Sequence, residues 1–112
     1  MATVEVTQHD VGVIFADNVD ADDLSEHDMN DVTEVLFLMR KIGDDDLIVV
    51  GTGLVVDAAT REIGYSSQEE DLHTAGYFYQ AWQLTFTTGE VYTFRPDDGG
   101  YNIVHVLADL GP

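Results

Sequence analysis

Few residues in this chain can do chemistry. It has four histidines (His9, His27, His73, His105), three serines (Ser25, Ser66, Ser67), 22 carboxylates and no cysteine. Without cysteine there are no disulfides, no thiolate metal ligands and no thiol nucleophile. A metal centre needs three or four converging ligands, and the histidines show no HExxH or comparable spacing. They read as surface groups, two of them beside an acid (His9-Asp10, His27-Asp28). No serine lies in Gly-x-Ser-x-Gly, and Gly51-Thr52-Gly53 lacks the rest of any phosphate-binding fingerprint. Carboxylates are so common that a pair of them is not diagnostic of acid–base catalysis. No loop carries the spaced Asp-x-Asp-x-Asp-Gly pattern that calcium requires; Asp97-Asp98-Gly99-Gly100 comes nearest. The residues therefore predict a protein that is not an enzyme and uses no cofactor and no metal.

The carboxylates do carry information in bulk. Against 22 acids stand four basic residues, for a net charge of −18, and Lys41 is the single lysine. A folded chain of this mass exposes about 6,100 Å², so the mean acid spacing is tolerable in ordinary salt. The runs are not: Asp20-Ala21-Asp22-Asp23, Asp44-Asp45-Asp46, Glu69-Glu70-Asp71 and Asp97-Asp98 crowd like charges within a few ångström. Screening at that range needs a Debye length of about 3 Å, that of molar salt. Such self-repulsion destabilises a compact state in dilute buffer, so the composition points to a high-salt cytoplasm or brine; the alternative is an ordinary acidic protein with a basic partner. Nucleic acid is excluded as a partner, because that affinity rests on Lys and Arg. No membrane segment is expected either. The longest apolar run is residues 35–39, and the chain start lacks a signal-peptide pattern.

The elements that position these residues follow a period of two, the strand period. At 112 residues the chain reads as one domain, residues 1–112. Strands are expected at 11–17 (Val11, Val13 and Phe15 on one face), 32–41, 47–52, 54–56, 61–66, 76–86, 90–95 and 101–107. An acidic connection at 18–31 has room for one helical turn. In 32–41 the alternation separates Val35, Phe37 and Met39 from Leu36, Leu38 and Arg40. Gly51 and Gly53 read as breaks between two short strands. Seven to eight short strands with turns between them predict an all-β fold, an immunoglobulin-like antiparallel β-sandwich.

Seven of the eleven aromatic side chains fall in GYFYQAWQLTFTTGEVYTF, residues 76–94. A three-residue loop, Thr87-Thr88-Gly89, pairs Trp82 with Phe94 and Leu84 with Tyr92. That register gathers Trp82, Leu84, Phe86, Tyr92 and Phe94 on one side, whereas a one-residue slip scatters them. The core is therefore expected to hold Phe15, Phe37, Phe78, Trp82, Leu84, Phe86, Tyr92 and Phe94. Tyr77 and Tyr79 point the other way, as do Leu36 and Leu38. Those four form a candidate interface, since tyrosine and apolar patches mark contact surfaces.

The order DVTEVLFLMRK, VVDAATREIGY, AGYFYQAWQLTFTTGEVYTF and GGYNIVHV also resembles a known family. It is similar to the immunoglobulin-like domain that begins tailed-phage baseplate upper proteins. Met39-Arg40, Val55 to Ala59, Tyr65, Trp82, Leu84, Phe86, Gly89, Thr93 and Phe94 stand at its recurring positions. Phe78 replaces the family's usual Tyr, and Arg95 separates Phe94 from Pro96. Combined with the composition, the resemblance implies a non-enzymatic virion structural protein of a halophilic tailed virus of archaea, an adaptor at the tail baseplate or fibre attachment. It would assemble with other virion proteins in a high-salt host cytoplasm, as a symmetric homo-oligomer. A capsid decoration or turret protein of such a virion, and a host immunoglobulin-like binding module, are the alternatives.

Overall fold

The computed structural model describes residues 3–19, 27–43, 47–94 and 102–108. Among them are eight strands: β1 (Thr3–Thr7), β2 (Ile14–Asn18), β3 (Val32–Lys41), β4 (Leu47–Asp57), β5 (Glu62–Ser66), β6 (Gly76–Phe86), β7 (Val91–Phe94) and β8 (Asn102–Leu107), with a 3₁₀ turn at Met29–Asp31. They form a curled β-sandwich in the order β1-β8-β6-β3-β4-β5-β2. β7 and β8 share one edge of β6: β8 pairs with its first half and β7 with its second. The acidic runs 20–23, 44–46 and 97–98, and Arg95 and Tyr101 of the expected strands, lie outside the described residues.

β4 belongs to both layers. Its first half pairs antiparallel with β3, and from Leu54 onward it pairs with β5. The expected break at Gly51 and Gly53 is instead a bend in one continuous strand. The reason is room. A Cβ on Gly51 would lie 2.3 Å from the Tyr65 ring, and one on Gly53 would lie 2.5 Å from the carbonyl oxygen of Gly64. Glycine here lets the second layer fold down onto the first.

Two further expectations are corrected. The strand expected from residue 11 begins at Ile14, and Val11 is exposed. Residues 11–13 are held instead by Ser67, whose Oγ accepts from the Val13 amide at 3.0 Å and whose own amide donates to the Val13 carbonyl. The sandwich is also not wholly antiparallel. β1, which the expected strands omit, runs parallel to β8, pairing Val4 with Val104 and Val6 with Val106.

The aromatic hairpin has the expected register: Trp82 opposes Phe94 and Leu84 opposes Tyr92. The Gly89 amide donates to the Phe86 carbonyl at 2.8 Å with φ at +90°, a conformation glycine adopts without a Cβ clash. Phe15, Phe37, Phe78, Trp82, Leu84, Phe86 and Phe94 are buried, while Tyr92 is half-buried against them. Phe37 is the hub, stacked on Phe15 and Tyr65 and edge-on to Trp82 at 4.8 Å. The Trp82 indole N–H reaches across the layers to the Asp17 carboxylate at 2.7 Å, supplying the polar partner a buried indole needs.

Candidate interaction surface

Among the described residues, groups able to do chemistry are scattered. His9 meets His73 edge to face across two loops, at 4.9 Å between centroids. His27 lies 2.9 Å from Glu90 and stacks on Phe86. His105 lies 3.4 Å from Glu5 and stacks on Tyr77. Among the described residues, no three metal-capable side chains converge. Asp71, from the acidic run 69–71, accepts from the Tyr65 hydroxyl and from the Gln68 amide. Burial first, then the hydrogen bond and negative charge of Asp71, push the Tyr65 phenol well above its ordinary range. Ser67 is buried in the backbone links already described, and the bend absorbs Gly51-Thr52-Gly53. Buried Gln80 stands between Phe78 and Trp82, and its Oε1 accepts no hydrogen bond from the described residues.

The structure gathers Tyr77, Tyr79, Leu36 and Leu38 on the outer face of the larger layer. In register they give Arg40 beside Tyr79, Leu38 beside Ala81, and Leu36 beside Gln83. Val50 and Thr52 of β4 continue those rows, and His105 and Ile103 of β8 flank the two tyrosines. The Arg40 guanidinium lies 5.6 Å from the Tyr79 ring centre. Tyr77 is 51% exposed and Val50 59%, whereas Leu36, Leu38 and Tyr79 are half-buried by their neighbours. Among the described outward residues of β1, β8, β6 and β3, the acids are Glu5 on the edge strand and Glu34 at one end of β3. For a chain of net charge −18, this is a conspicuous clearing.

A second apolar patch was missed. Ile14, Leu54 and Val56 lie on the outer face of the smaller layer, 69%, 59% and 53% exposed. Ile14 opposes Ser66 and Leu54 opposes Gly64 across β5. Leu54-Val55-Val56 puts apolar residues on both faces of a strand, and that pattern does not say which face the rest of the chain covers.

The fold defines the class: a small all-β sandwich. The crystal structure of CopC from Methylosinus trichosporium OB3b has a similar fold, with a TM-score of 0.50 at 10% identity over 100% of this chain and 90% of CopC. At that identity the likeness concerns the fold. No protein-family model matches the sequence, and no curated protein matches it.

Proposed function

We propose that this chain is a non-enzymatic structural protein of a halophilic tailed virus, an adaptor at the tail baseplate or fibre attachment that docks through the outer face of its larger layer. The observation that carries the docking is the clearing itself. A tyrosine-bearing face across β3 and β6 whose described charges are Glu34 and Arg40, in a protein with 22 acids, is where contact costs little repulsion. The resemblance in residues 31–106 supplies the virion setting. The scattered histidines and the structurally engaged Ser67 favour a binding role over catalysis.

Virions separated into heads and tails and probed for this chain test the reading. The tail fraction is expected to contain it. Finding it only in heads makes it a decoration or turret protein, and finding it in neither defeats the virion role. Tyr77→Ser with Tyr79→Ser is expected to weaken assembly onto the particle while leaving the isolated domain folded. Unfolding of that variant would mean that the two rings belong to the core.

A further inference from the structure

We infer that the outer face of the larger layer is an isologous contact, and that its occupant is a second copy of this chain stacked antiparallel across a two-fold axis; this rests on reading that face as the docking surface. Along the outward side of β3 the order is Glu34, Leu36, Leu38, Arg40: acid, apolar, apolar, base. The pattern is its own complement. A two-fold axis lying in the face, perpendicular to β3 and passing over Phe37, turns the strand end for end. It brings Leu36 over the Leu38 position of the second copy and Glu34 over its Arg40 position. Turning about an axis along β3 would instead set acid over acid and base over base.

β6 obeys the same operation. Trp82 opposes Phe37 in the register, so the axis passes over Trp82 and sets Ala81 against the Gln83 position of the second copy. On β4, Val50 and Thr52 oppose Leu38 and Leu36, and they exchange in the same way. Three strands thus share one axis, as an isologous interface requires.

The patch is small. Four strand positions overlap, with β4, β3 and β6 over their own copies and β8 over β7, about 19 Å across, and seven residues along β3 extend it about 23 Å. That flat area of about 440 Å² is roughly half the 800 Å² per partner of a standard stable interface. Among the described outward residues of the larger layer's β3, β4, β6, β7 and β8, Glu34 is the single acid, which keeps the repulsion across this patch small.

The test is the mass of the purified chain by light scattering in about 2 M KCl, where surface charge is screened. Wild type is expected at twice the 12.4 kDa chain mass. Ala81→Glu puts two carboxylates close to the axis and is expected to weaken the dimer about a hundredfold or more, with its melting temperature kept. Val56→Glu, on the other layer, should leave the dimer intact. At lower salt, Glu34→Arg should weaken it about threefold, and adding Arg40→Glu should restore it. A wild type that stays monomeric, forms a ring of another order, or loses its dimer through Val56→Glu and not Ala81→Glu overturns the inference. Failure of the swap to restore affinity overturns the antiparallel stacking. A monomer still found in tails sinks this inference alone, whereas a dimer absent from virions sinks the virion role alone.

Discussion

Tyr65 shows how a side chain that looks chemically able can be wholly structural. Its ring covers the space a Cβ on Gly51 would need, its face stacks on Phe37, and its hydroxyl donates to Asp71. Tyr65→Phe keeps the ring and removes the hydroxyl, so it is expected to cost about 1.5–3 kcal/mol at neutral pH, measured by chemical denaturation. The pH dependence has a definite sign. The phenol is harder to ionise folded than unfolded, so above its ordinary value of about 10 the unfolded chain sheds a proton the folded chain keeps, and stability falls as pH rises. Tyr65→Phe should flatten that alkaline loss, and an unchanged slope would remove Tyr65 as its source. Gly51→Ala drives a methyl into the same ring and is expected to cost about 1–3 kcal/mol. Gln80 tests the opposite case. Its Oε1 has no partner among the described residues, so Gln80→Met, of similar length and apolar, should raise stability by about 1 kcal/mol.

Among the elements, the β6–β7 hairpin was the most legible. Its register followed from the need to bury Trp82, Leu84, Phe86 and Phe94 together, and one glycine at the loop end admits that register. Gly89→Ala would place a Cβ on a backbone at φ +90° and is expected to cost about 1–2 kcal/mol without shifting the pairing of Trp82 with Phe94. Cross-strand contacts in an NMR spectrum, together with a melting curve, check both parts. β3 was equally clear, because Val35, Phe37 and Met39 alternate with the larger layer's outward residues. β4 was less so, since a glycine pair reads alike as a break and as a bend. Only Tyr65, seated above Gly51 from 14 residues away, distinguishes the two. The three-apolar run Leu54-Val55-Val56 concealed a second exposed patch for a related reason. Strand period assigns faces, but not which face the rest of the chain covers. The start of β2 was set by the Ser67 hydrogen bonds to Val13, a partner 54 residues distant that local pattern does not reveal.

The whole molecule is governed by its charge. Between described residues, the acid–base contacts are His27–Glu90 and His105–Glu5. A chain with 22 acids and four bases has too few cations to neutralise itself, so mobile ions must do so. Stability is therefore expected to rise between 0.15 M and 2 M KCl. A gain of about 2 kcal/mol would lift the melting temperature of a domain this size by about 8–16 °C. The shape of the rise identifies the cause. Screening shortens the Debye length from about 8 Å at 0.15 M to about 3 Å at 1 M, so most of an electrostatic gain must come before 1 M. A gain that continues in proportion to salt beyond that point would come from strengthened burial of apolar surface, as excluded salts produce in any protein. A melting temperature that stays flat or falls across the range would defeat the high-salt reading, leaving the excess of carboxylates to a basic partner instead.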